Sequence, residues 1–172
     1  IAGDGTDLTI TSGNDIVFAL GATGSIYHTG DGGSNNTIFG LDAGEALVSG
    51  SDGNTFFGED AGKACTGDFN TFIGFNAADS FVGGVRNVAI GRNALATTTD
   101  VDKVVAIGYN AAGGTALVVG STNADGTVAV GYNTLEALTS GVGNVAVGFT
   151  ALSTLAAVDG NTAVGFEAGK VT

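Results

Sequence analysis

The sequence has no proline, methionine or tryptophan, one cysteine, one histidine and five basic residues among 172. A single cysteine cannot close an internal disulfide. Cys65, in the stretch KACTGDF, reads as a small half-buried residue and not as a nucleophile. His28, in SIYHTGDGG, has no second His or Cys with which to share a metal, and a surface histidine is the better account of it. With no serine-centred elbow either, there is little for a hydrolase to work with, so neither an enzyme nor a cofactor is expected. Five basic residues stand against 17 acidic ones, for a net charge of −12. That balance argues against nucleic acid or an anionic membrane surface as a partner. No apolar run is long enough to span a bilayer. The missing proline matters most beside 31 glycines. Glycine without proline fits neither collagen nor a disordered linker, and an apolar content of 44% calls for something packed.

What fills the chain is repetition. NVAVGFTAL begins at Asn144 and NTAVG restarts the phrase at Asn161. Earlier copies are TVAVGYNTL at Thr127, VVAIGYNAA at Val104, NVAIGRNAL at Asn87, NTFIGFNAA at Asn70, NTFFGEDAG at Asn54 and NTIFGLDAG at Asn36. The closing glycines are Gly40, Gly58, Gly74, Gly91, Gly108, Gly131, Gly148 and Gly165, at steps of 18, 16, 17, 17, 23, 17 and 17. A short, nearly constant period is the signature of a solenoid, which grows in one dimension and needs no central core.

The four columns before each glycine predict a strand. The first is Asn in six copies (Asn36, Asn54, Asn70, Asn87, Asn144 and Asn161), the second Thr or Val, and the fourth Phe, Ile or Val. The third is Ile or Phe in three copies and Ala in five. Short β-branched runs bounded by Asn and Gly read as strands. Alternation puts columns two and four on one face and column three on the other, and both faces are apolar. Columns two and four are expected to fill the coil. Column three is then left to identical chains, and if it faces a symmetry axis the cross-section narrows towards the C-terminus. The glycine reads as a corner with positive φ or close backbone approach. Two residues later comes Asn, Asp, Glu or Thr, types that suit left-handed bends, and then Ala in seven copies. The column-one Asn can form a side-chain ladder or simply a turn. After the strand, a turn-rich segment with at most one helical turn is expected.

Residues 1–33 precede the array as a β-rich leader, with strands in DLTIT and NDIVFAL and turns at GATGS and TGDGG. Residues 34–172 form the tandem-repeat solenoid. AGDGTDLTI loosely resembles a calcium-binding nonapeptide through Asp4, Asp7 and Asp15, but Asp/Gly turns account for it better and no metal is assigned. The long step falls in GGTALVVGSTNADG, which reads as a tolerated insertion bulging from the coil. The eighth copy opens just before Thr172, as in a piece of something longer.

GNVAVGFTAL (143–152) and GNTAVGFEAG (160–169) resemble repeats of phage tail-fibre proteins, which often carry leaders like DLTITSGNDIVFAL. NVAIGRNA (87–94) and VVAIGYNA (104–111) are similar to repeats in the left-handed parallel β-roll heads of trimeric autotransporter adhesins. The likeness covers about four-fifths of the chain. It implies an all-β parallel solenoid of about eight coils of ~17 residues, assembled as a homotrimer. The adhesin repeat is usually nearer fourteen residues, and no heptad stalk follows here, so the fibre is the closer match. The resemblance thus implies a structural and adhesive segment of a virion fibre. Its expected partners are its own copies, other virion or fibre proteins and a host-surface receptor. The alternative is a head on a bacterial cell surface, and a calcium- or ice-binding solenoid is a remote third. Column two lacks the regular Thr array that an ice lattice needs. Glu59, Asp60, Asp68 and Asp79 are available to a depolymerase, but they read as solvated surface.

Overall fold

The computed structural model describes residues 26–27, 33–114, 124–157 and 159–170. Eight three-residue strands stack in chain order: β2 (Thr37–Phe39), β3 (Thr55–Phe57), β4 (Thr71–Ile73), β5 (Val88–Ile90), β6 (Val105–Ile107), β7 (Val128–Val130), β8 (Val145–Val147) and β9 (Thr162–Val164). All are parallel and paired column to column, Thr55 with Thr71, Phe56 with Phe72 and Phe57 with Ile73, for example. The result is an all-β parallel solenoid of about seven turns, with no helix among the described residues. Ahead of the stack, β1 (Ile26–Tyr27) pairs antiparallel with β2 and covers its free edge. This two-residue strand sits between the turn signals GATGS and TGDGG, where the sequence predicted none. The leader strands expected in DLTIT and NDIVFAL lie outside the described residues, as does the centre of the insertion.

The inside of the coil is set by column three, and this corrects the expected facing. Phe56 is fully buried while its neighbour Phe57 is 54% exposed, and the same in–out alternation runs along the stack. Ile38, Phe56, Phe72, Ala89, Ala106, Ala129 and Ala146 point into the coil; columns two and four point away from it. The physical reason is column one. Asn54, Asn70, Asn87 and Asn144 are buried, and residues two apart on a strand share a face, so the Asn and column three go inward together. A narrow coil then has room for one apolar side chain per strand.

The narrowing expected of column three is offset inside most of the coils. Where column three is Phe, the residue four after the repeat glycine is small, as at Gly62. A Cβ on Gly62 would press against the rings of Phe56 and Phe72 at 2.9 Å. Where column three is Ala89, Ala129 or Ala146, that position is Leu95, Leu135 or Leu152, all buried, whereas beside Ala106 it is Ala112 and beside Ala163 it is Gly169. Phe56 and Phe72 stack at 5.1 Å between centroids, and Phe81 meets Phe72 edge-on at 5.2 Å. In most layers bulk is thus traded between two columns.

After each strand the chain runs through overlapping turns. Ala61 N–H donates to Gly58 O at 3.3 Å, Lys63 to Asp60 at 3.3 Å and Cys65 to Gly62 at 2.9 Å. The third residue of the first two turns has positive φ, Asp60 at 57° and Gly62 at 59°, the type II requirement. These inversions aim N–H groups along the stack. Asp60 N–H donates to Leu41 O of the preceding coil at 2.8 Å, and Gly62 N–H to Ala77 O of the next at 2.9 Å. The turns thereby continue the ladder that the strands begin, which satisfies buried backbone without helix or longer strand.

Candidate functional site: the outer strand face and its ladders

The repeat asparagines form the first ladder. Each Oδ1 accepts the backbone N–H of the column-one residue in the next coil: Asn36 from Asn54 at 2.8 Å, Asn54 from Asn70 at 2.9 Å, Asn70 from Asn87 at 2.9 Å, Asn87 from Val104 at 2.9 Å and Asn144 from Asn161 at 3.0 Å. The Nδ2 groups of Asn36, Asn54, Asn70 and Asn87 donate to carbonyls of Ser51, Gly67, Gly84 and Val101 at 2.7–2.9 Å. Between Asn87 and Asn70, and between Asn161 and Asn144, side chain also meets side chain, at 3.0 and 3.2 Å. Of the two readings the sequence left open, a ladder or a simple turn, the ladder is the one formed. Its main rungs run from side chain to backbone, and they break where Val104 replaces Asn.

The repeat glycines Gly40, Gly58, Gly74, Gly91, Gly108, Gly131, Gly148 and Gly165 all have φ between 126° and 146°. A Cβ on Gly148 would run into the carbonyl of Gly165 in the next coil, so this corner demands both the conformation and the space. The residue two after each glycine has φ between 48° and 58° at all eight positions, as the Asx and Thr types suggested. Both rows are structural.

Two further ladders escaped the sequence reading. Asp52 accepts Ser34 N–H at 2.6 Å, Asp68 accepts Asp52 N–H at 2.9 Å, Asp102 accepts Val85 N–H at 2.8 Å, Asp125 accepts Asp102 N–H at 2.8 Å, and Asp159 accepts Val142 N–H at 2.9 Å. Asp68 therefore ties coils together and is not merely solvated surface. The signal was present as Asp two residues before column one in five copies. The other ladder follows the repeat glycine and is exposed. Tyr109, Tyr132, Phe149 and Phe166 stack face to face at 5.0–5.4 Å, and Arg92 lies over Phe75 at 5.6 Å and over Tyr109 at 5.8 Å. Its rings turn edges, not faces, to the surroundings, so it is an apolar rail and not a set of stacking platforms.

Beside that rail lies the outward strand face. Column four passes from Phe39 and Phe57 to Ile73, Ile90 and Ile107 and then to Val130, Val147 and Val164, while column two holds Thr or Val throughout. No charge falls in either column over eight copies of the repeat in a chain with net charge −12. Phe39 and Phe57 stack on this face at 5.0 Å. The strip is about 34 Å long and about 10 Å wide, from strand spacing and rise per residue. That area matches the largest apolar patch on a typical monomer, which often serves an interaction.

The other candidates do not gather. Asp60 holds Lys63 Nζ at 2.9 Å, with Asp42 at 3.4 Å and Glu45 at 3.9 Å, and the hydrogen bond to Asp60 raises the ammonium pKa. Glu59 is exposed and Asp79 half-buried on separate coils. Cys65 is fully buried, and desolvation pushes its thiol up to about 11. Among the described residues no three His, Cys, Asp or Glu side chains cluster as a metal site would need. Asp4, Asp7, Asp15 and His28 lie outside the described residues.

The fold defines the chain as a parallel β-solenoid. No family model, curated protein or solved structure matches it.

Proposed function

We propose that this chain is a structural segment of a trimeric virion tail fibre, a rigid shaft that spaces or presents a host-binding tip and performs no catalysis. The observation that carries the reading is the uncharged outer strand face. A solenoid already filled by column three has no use of its own for a second apolar surface running its whole length. Identical copies supply the economical cover. They also bring together a stretch of a strongly acidic surface where carboxylates do not meet, and like-charge contacts across an interface are costly. The hydrogen-bonded Asn and Asp ladders suit a stiff rod, since each coil is tied to the next through side chains as well as backbone. The repeat phrases, similar to those of phage fibres, favour a virion as the home of such a rod. The chain's other partners are then neighbouring fibre or virion proteins and, through the tip, a host-surface receptor.

Antibodies raised against residues 34–170 test this reading. Decoration of phage tail fibres in electron micrographs is the expected result. Labelling confined to the bacterial cell surface would replace the fibre with an adhesin head.

A further inference from the structure

The outward strand face carries a gradient in one direction. Inside, Phe56 and Phe72 are matched by small residues four places after the glycine, and Ala89, Ala129 and Ala146 by Leu95, Leu135 and Leu152, so most of the change in column three is offset. Outside, column four shrinks in one direction only, from benzyl through sec-butyl to isopropyl. Column two offers no compensation, because Thr and Val have nearly the same volume.

Cyclic symmetry turns that gradient into a shape. In a fibre of three identical subunits whose axis runs along the stack, equivalent coils of all three copies lie at one height. Phe39 therefore faces Phe39, and Val164 faces Val164. Resting on the trimer reading above, we infer that the copies pack parallel and in register through columns two and four, and that the rods splay apart at the Phe39 end and converge at the Val164 end. The occupant of this face is a second copy of the chain. No charged residue interrupts either column, whereas Asp42, Asp60 and Asp79 would bring like charges together if their side of the turns were used. An antiparallel pair sets the competing geometry, since it places each Phe against a Val and keeps the rods equidistant.

Spin-label distances read the difference. Glu45→Cys and Lys170→Cys put one nitroxide each at the same place in the coil, the fifth residue after Gly40 and Gly165, and both positions are exposed. Buried Cys65 stays unlabelled. The separation between protomers measured by pulsed EPR should be longer at position 45 than at position 170. Phe39→Val combined with Phe57→Val should shorten the distance at position 45 and leave that at 170 unchanged. Both side chains point out of the coil, so the fold tolerates the change. Equal distances at the two ends of a trimer, or no response to the double substitution, would overturn the taper alone. Distances at position 45 beyond about one solenoid length, ~34 Å from the strand spacing, would indicate the antiparallel pair and overturn the parallel packing. A monomeric mass with no dipolar signal would overturn the trimer reading itself.

Discussion

Asn87 shows what one side chain does in this stack. Its Oδ1 accepts Val104 N–H, and its Nδ2 donates to Val101 O at 2.7 Å and to Asn70 Oδ1 at 3.0 Å, all in a site closed to water. Asn87→Ala orphans a buried N–H and a carbonyl, at about 1–3 kcal/mol for each group left unsatisfied. The melting temperature should fall clearly, and an unchanged value would mean the ladder contributes nothing. Cys65 gives a pH-dependent signature. Its thiol titrates at about 11 in the folded chain, against an ordinary value of 9.0. A raised pKa means that the folded state favours the protonated form. The associated stability is therefore intact below pH 9 and is lost as pH rises from 9 to about 11. Urea melts of the native chain should lose stability across that window by more than melts of Cys65→Ala do. Identical slopes for the two proteins would contradict the burial of the thiol.

Within a single coil, the strands were legible because their chemistry is local: β-branched residues between Asn and Gly, repeated eight times. The corner glycines and the left-handed Asp, Asn, Thr and Glu positions were legible for the same reason. The facing of the strand was not, because both of its sides are apolar and only the burial of the column-one Asn decides between them. Unreadable too were Ala78, Leu95, Leu135 and Leu152 at φ between 49° and 55°. Nothing in Ala or Leu announces a left-handed backbone. The coil imposes it, so that the N–H reaches the next coil while the side chain enters the core. Two glycines separate conformation from space. Gly143 has φ 66°, and a Cβ added there would meet nothing within 4 Å. Gly143→Ala should therefore cost only the left-handed penalty of about 1–2 kcal/mol. Gly148→Val adds a backbone collision with Gly165 and should lower the melting temperature much further. Equal losses in the two variants would mean that the coils are not closely packed at the repeat corner.

Across the full stack, the two faces of β8 make separable demands. Ala146 is fully buried inside the coil, and Ala146→Asp forces an unpaired polar group into it at about 2–7 kcal/mol, so the solenoid itself should fail. Val147 lies one residue on and half-exposed on the outer face. Val147→Asp should leave the circular dichroism of the coil in place while weakening association, as a charge in each copy meets its equivalents near the axis. Loss of secondary structure in Val147→Asp, with Ala146→Asp intact, would invert the facing described for the strands. Whether the outer face is covered by the chain's own copies is read from molar mass in solution. Light scattering on the native protein should give three times the 16.7 kDa chain mass across the accessible concentration range. A stable, soluble 16.7 kDa monomer with this face open to water would contradict it.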